Sequence, residues 1–239
     1  SVLAIVSTRR VGLRQRMLAQ AEIGAVDIGE LRTLVTSIAK ITITVEATIS
    51  LVLFVRFATI DDIGIGRAAY SGVFHGVSAF NNAGFSLSSD SMTRFVHDPL
   101  VVLPITAAFI VGGLGFPVIV QLRRHLAPRR WSLHARITIA ATLVLLAIGP
   151  LVVLVAEWTN PATLGPMDVS GKIQAAWFQG VTPRTAGFST IDIGSLREPT
   201  LNVMTGLMFI GAGPASTSGG IKVTTFAIIV VAIWSQVRG

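Results

Sequence analysis

The sequence predicts an all-α integral membrane protein holding two copies of one unit: span, short helix, glycine turn, span. Three observations predict it. The chain is 51% hydrophobic and only 13% charged over 239 residues, with mean hydropathy +0.71, well beyond what a soluble domain carries. Long apolar runs alternate with arginine clusters. The tetrapeptide Ala-Gly-Phe-Ser occurs twice, at 83–86 and 186–189, each time after an apolar run too short to cross a bilayer.

Composition also excludes. There are no cysteines, so no disulfide, thiolate chemistry or cysteine-built metal site is available. The net charge of +7 would suggest nucleic acid in a soluble protein. Here the arginines cluster between spans, which positive-inside topology explains, and no nucleic acid is expected. No Walker loop, His-Glu-x-x-His helix or recognisable Ser/His/Asp grouping occurs. The chain does not read as an enzyme.

Residues 1–36 are expected to be a basic cytoplasmic connector. Ser1–Val6 is apolar and runs into Arg9 and Arg10, with Arg14, Arg16 and Arg32 beyond. This order is the reverse of a signal peptide and resembles the tail of an apolar helix. With Trp234–Gly239 ending just after a span, the chain is expected to be a fragment.

The first unit is assigned to residues 37–125. Its first span, 37–58, carries Lys40 and Arg56 near its ends and Glu46 nearer the middle. The ends can snorkel. Glu46 should face protein, as a partner to another helix or, as an alternative, a cation-attracting group. Asp61-Asp62 opens an outer loop. Residues 68–80 cover roughly 20 Å as a helix, short of the ~30 Å hydrocarbon core, so they must be re-entrant or interfacial. His75 lies in this helix and is expected to be packed or hydrogen-bonded. Residues 99–122 carry no charge and form the clearest span. Gly112, Gly113 and Gly115 permit close approach to a neighbouring helix, and Pro104 and Pro117 are candidate kinks.

Residues 126–136 belong to a basic cytoplasmic loop that, with its flank, holds Arg123, Arg124, Arg129, Arg130 and Arg136. His125 and His134 show no metal-ligand spacing. The second unit, 137–239, repeats the order: span 137–156, outer loop from Glu157 to Asp168, short helix 170–182, Ala-Gly-Phe-Ser, and an apolar stretch 199–235. That stretch is interrupted at 211–220 by Gly-Ala-Gly-Pro-Ala-Ser-Thr-Ser-Gly-Gly. Four glycines, one proline and three hydroxyl residues among ten cannot hold a regular helix. Non-helical backbone at membrane depth must be buried or line a cavity.

Gly84 and Gly187 stand 103 residues apart. Both units begin and end on the basic side, so they are parallel repeats rather than the inverted repeats of many carriers. Ala-Gly-Phe-Ser offers little but backbone, and rings of carbonyls replace the water around an alkali cation. The two stretches therefore read as quarters of an ion selectivity filter. The outer loops hold eight acids (Asp61, Asp62, Asp90, Asp98, Glu157, Asp168, Asp192, Glu198) against five bases (Arg67, Arg94, Lys172, Arg184, Arg197), a balance that favours cations. Arg184 should pair with an acid, away from the ion path.

Three segments carry a family resemblance: Phe74–Leu87, Thr182–Thr190 and Phe209–Lys222. They resemble the second filter, third filter and interrupted helix of the Trk/Ktr/HKT superfamily of potassium transporters, most closely the bacterial Ktr membrane subunit. The resemblance implies a chain of four such repeats, of which this one holds the second and third. It implies potassium uptake through a channel-like pore in the bacterial cell (inner) membrane. The filter would be Asn82, Ala83, Gly84, Phe85, Thr185, Ala186, Gly187 and Phe188, with carbonyls as the only potassium ligands. An intramembrane gating loop would comprise Gly211, Ala212, Gly213, Pro214, Ala215, Ser216, Thr217, Ser218, Gly219 and Gly220, with Lys222. It further implies a homodimer and a cytoplasmic regulatory ring that itself binds the nucleotide (ATP, ADP or NAD). A sodium-conducting or weakly selective relative, a broken-helix solute carrier and a membrane scaffold are the competing expectations.

Overall fold

The computed structural model describes residues 31–60, 63–124, 127–184 and 186–238. The connector before residue 31, Asp61, Asp62, His125 and Thr185 lie outside them. The described residues form eight α-helices and no strand beyond one isolated bridge. In chain order these are α1 (Leu31–Ala58), α2 (Ile65–Phe80), α3 (Pro99–Leu114), α4 (Phe116–Arg124), α5 (Leu133–Glu157), α6 (Val169–Val181), α7 (Glu198–Phe209) and α8 (Val223–Arg238). Contacts divide the chain into two units, residues 1–45 and 46–239. In the first, α1 begins and buries Val35 and Ile41.

Val35–Ala58 within α1, and α5, are long and apolar enough to cross a membrane. Along α5 the apolar Leu143, Val144, Leu151 and Val155 stay exposed, as a lipid-facing surface requires. The helices α2 and α6 have 16 and 13 residues, too short to span. Asp168 caps α6 by accepting from the Gly171 amide at 3.2 Å. Ser132 caps α5 through the Ala135 amide at 3.2 Å.

Each short helix is held by glycine contacts. Gly72 and Gly76 of α2 lie against Ser50 of α1 with no room for a methyl group. Where α5 crosses α6, a methyl on Gly149 would overlap the Gly180 carbonyl, and one on Gly180 would overlap Pro150. Beside this crossing an apolar core gathers Val153, Leu164, Ala175, Ala176, Leu196 and Met204.

The uncharged segment expected as one span is broken. The helices α3 and α4 meet at 98°, and together they count as one span only as a bent pair. Pro104 sits inside α3 without interrupting it. The break falls at Gly115, whose φ of +89° suits a residue without Cβ. Pro117 has no amide hydrogen, so the Gly113 carbonyl loses its helical partner and accepts from the Gly213 amide at 2.8 Å instead. Phe116 donates to the Ala215 carbonyl at 3.1 Å, and Gly112 accepts from Thr217 at 3.2 Å. Gly112 thus approaches the end of the neighbouring helix α2 at the Phe80 carbonyl, whereas Gly115 meets the Pro214 carbonyl of the later loop.

The insert between α7 and α8 is a closed loop. Ile210 and Ile221 pair as a parallel bridge. At this neck Gly211 donates to Ile221 at 2.9 Å and Val223 to Ala212 at 3.0 Å. A methyl on Gly211 would overlap the Gly219 carbonyl.

Candidate functional site

The two Ala-Gly-Phe-Ser stretches emerge from the C-terminal ends of α2 and α6. In both, the glycine is left-handed, with φ +72° at Gly84 and +82° at Gly187. The turns meet: the Cβ position of Gly84 is crowded by the Ala186 carbonyl and by Gly187 backbone atoms.

Hydrogen bonding fixes which way the backbone faces. The Ala83 amide donates to Ser78 at 2.9 Å, and Asn82 to Ala79 at 3.1 Å. The Ala186 amide donates to Thr182 at 3.0 Å. Donors therefore turn back to the short helices. Of the residues in these turns, Ala83, Phe85 and Gly187 are exposed.

Polar side chains brace the far ends of the turns. The Ser78 hydroxyl donates to the Phe85 carbonyl at 2.9 Å, and the Thr182 hydroxyl to the Phe188 carbonyl at 2.7 Å. The His75 Nδ1 lies 2.8 Å from the Ser71 carbonyl, which only an Nδ1–H tautomer can satisfy. That leaves Nε2 to accept from Leu87 N at 3.5 Å, with the Ser86 hydroxyl oxygen 3.3 Å away. His75 is thus a bonded, buried histidine. Gln179 takes the same part in the second copy, its Oε1 accepting from the Ser189 hydroxyl at 3.3 Å and Thr190 N at 3.4 Å. The copies also join directly: Met92 donates to the Ser189 carbonyl at 2.8 Å, and Ser189 N to the Ser91 hydroxyl at 3.0 Å.

They are not identical. Seven positions separate Ser78 from Phe85, but six separate Thr182 from Phe188. The extra residue falls beside Asn82, which adopts φ +51°, a conformation asparagine tolerates better than most residues. Phe188 is wholly buried while Phe85 is 69% exposed.

Residues 211–220 lie against the first turn. The Asn82 side chain donates to Thr217 Oγ1 at 2.8 Å, and Thr217 Oγ1 donates to the Phe80 carbonyl at 2.9 Å. The Lys222 ammonium donates to the Ser218 carbonyl at 2.9 Å, closing the end of the loop on itself.

A family model named TrkH and described as a cation transport protein matches residues 1–239. The chain belongs to the TrkH family of cation transport proteins. That family is one of transporters, not of enzymes. The chain is 40% identical over 238 residues to Ktr system potassium uptake protein B of Bacillus subtilis, covering 100% of this chain and 53% of the relative. It is 41% identical to the protein of the same name from Vibrio alginolyticus, covering 96% of this chain and 50% of that one. Potassium/sodium uptake protein NtpJ of Enterococcus hirae is 27% identical, with 98% and 51% covered. The fold matches the crystal structure of the potassium transporter TrkH from Vibrio parahaemolyticus with a TM-score of 0.71, at 16% identity, covering 99% of this chain and 45% of that one. The chain spans about half the length of the relatives it matches.

Among the site residues expected from the TrkH-type motifs, Asn82–Phe85 and Ala186–Phe188 come together in one place. Thr185 lies outside the described residues. Three expectations change. Arg184 is buried, and its Nε has no hydrogen-bond partner. Among the described residues no acid pairs with it. Its position after α6 turns it inward, to a small cavity with Phe109, Thr142 and Ala212. Glu157 is not at the mouth: it is fully buried. It accepts from Asn160 at 2.6 Å, Thr163 at 2.9 Å, Arg197 N at 3.0 Å and the Thr200 hydroxyl. Asp98 is neutralised by Arg56 at 2.7 Å. Glu46 bonds to Asn81 at 2.6 Å, so its partner caps α2. Ser78, Thr182 and Gln179 escaped sequence reading. Their one signal is a polar side chain near the end of each short helix.

Among the described residues no group of His, Cys, Asp or Glu could hold a metal ion. Asp192, exposed in the loop before α7, accepts from Ser195 and Gly194. Those bonds hold its carboxyl below the usual range, so it stays charged near neutrality.

Proposed function

We propose that this chain supplies part of a potassium-uptake pore in the bacterial cell membrane, crossing it several times. The carrying observation is the pair of left-handed glycines, Gly84 and Gly187, whose turns meet with their amides bonded back to the short helices. Carbonyls left free of internal partners suit a dehydrated alkali cation. The C-terminal ends of two helices add partial negative charge beside the same spot. The filter then comprises Asn82–Phe85 and Thr185–Phe188. Each Phe carbonyl shares its lone pairs with a hydroxyl, which leaves the three residues before it as the stronger ligands. Residues 211–220 with Lys222 form the gating loop across the ion path.

The repeat units are residues 37–125 and 137–239, joined by the basic loop 126–136. The relatives' names support potassium as the cargo. The potassium/sodium relative favours one second reading, a pore that admits sodium as well. A homodimer of full-length subunits and a cytoplasmic ring complete the assembly. That ring binds ATP, ADP or NAD and meets the arginines of 123–136.

The test is flux of the complete protein in liposomes, potassium against sodium. Gly84→Ala and Gly187→Ala should each lower the potassium preference. An unchanged ratio in both would overturn the filter assignment. Deletion of 211–220 should raise flux, and the bridged neck makes the two ends easy to join. Unchanged flux would remove the gate assignment alone.

A further inference from the structure

Thr217 sits in the loop 211–220 but is bonded to elements outside it. Its hydroxyl accepts from the Asn82 side chain at 2.8 Å and donates to the Phe80 carbonyl at 2.9 Å. Its amide donates to the Gly112 carbonyl at 3.2 Å. The Asn82 amide group also reaches the Phe109 carbonyl at 3.3 Å and the Phe80 carbonyl at 3.4 Å. The end of α2, the first turn and α3 therefore all meet the loop at one residue. Gly112 makes room: a methyl there would overlap the Phe80 carbonyl and crowd Thr217 Oγ1.

Among the described residues of the second turn, no side chain bonds to the loop. Its copy lacks the extra residue, and Arg184 stands where the first copy has Phe80. Asn82 is also the left-handed residue that sets where the Ala83 and Gly84 carbonyls point.

We propose that Thr217 is a positioning residue that ties the loop to the filter through Asn82, so that ion occupancy and loop position are coupled. This rests on reading 82–85 as filter and 211–220 as gate. When the loop leaves the ion path, Asn82 loses its nearest acceptor and its turn relaxes. Linkage makes the effect reciprocal: an ion that holds the Asn82 turn in its bonded form also holds the loop in place. One hydroxyl with two bonds can bias such an equilibrium by about threefold to tenfold.

The test uses the complete protein in liposomes, with flux normalised to folded protein by gel filtration. Thr217→Val keeps shape but removes the hydroxyl; Thr217→Ser keeps the hydroxyl. We expect Thr217→Val to raise maximal potassium flux about threefold to tenfold and to shift the half-saturating potassium concentration. Thr217→Ser should stay near the parent in both. A double-mutant cycle with Asn82→Ala should be non-additive. Parent-like behaviour of Thr217→Val, equal effects of Val and Ser, or an additive cycle would each overturn the coupling. Gly84→Ala separates the two levels. If it leaves the potassium preference unchanged, the filter reading fails and takes the coupling with it. If it lowers the preference while Thr217→Val does nothing, the coupling alone fails.

Discussion

Gly84 and Gly187 carry two constraints at once. Their backbone is left-handed, where a Cβ costs roughly 1 kcal/mol, and at Gly84 a Cβ would also strike the opposing turn. The hydroxyls behind them act at the same scale. Thr182→Val should free the Phe188 carbonyl and lower the potassium preference measured by competing fluxes, while Thr182→Ser should restore it. An equal loss in both variants would make Thr182 a packing residue. The doubled tetrapeptide was plain in the sequence because repetition needs no structure to be seen. The bracing pair Ser78 and Thr182 was hidden, because one extra residue puts the copies out of register. Arg184 misled for another reason: an arginine beside an acidic loop invites an ion pair, yet its place in the turn after α6 sends it inward.

The short helices were legible from length alone, since the runs 68–80 and 170–182 cannot cross the hydrocarbon core; the helices observed have 16 and 13 residues. The break between α3 and α4 was not. Its glycines read as helix-packing residues and its prolines as kinks. What decides is an exchange of partners with a loop about a hundred residues away: Pro117 withholds a donor from Gly113, and Gly213 supplies it. Such long-range pairing leaves no local mark. The α5–α6 crossing gives a prediction at this scale. Gly149→Ala should destabilise the protein by about 1–3 kcal/mol, because the atom it meets is the Gly180 carbonyl, which cannot rotate away. Thermal unfolding in detergent would measure this. A parent-like melting temperature would mean that the crossing can open.

Across the molecule, the outer surface is less acidic than its composition suggests. Of the eight acids assigned there, Glu157 is buried and Asp98 is paired with Arg56. The Glu157 knot ties α5 to the start of α7 through Asn160, Thr163, Arg197 and Thr200. Glu157→Gln swaps one carboxylate oxygen for a donor facing other donors. It should cost about 3 kcal/mol, read as a lower melting temperature with the potassium preference intact. An altered preference without loss of stability would return Glu157 to the ion path.

The one residue by which the two turns differ has a consequence for how such a pore can change over generations. A ring built from four identical chains must accept every substitution four times over. Here the two turns are written separately along one chain, so the extra residue beside Asn82 alters one turn and spares the other.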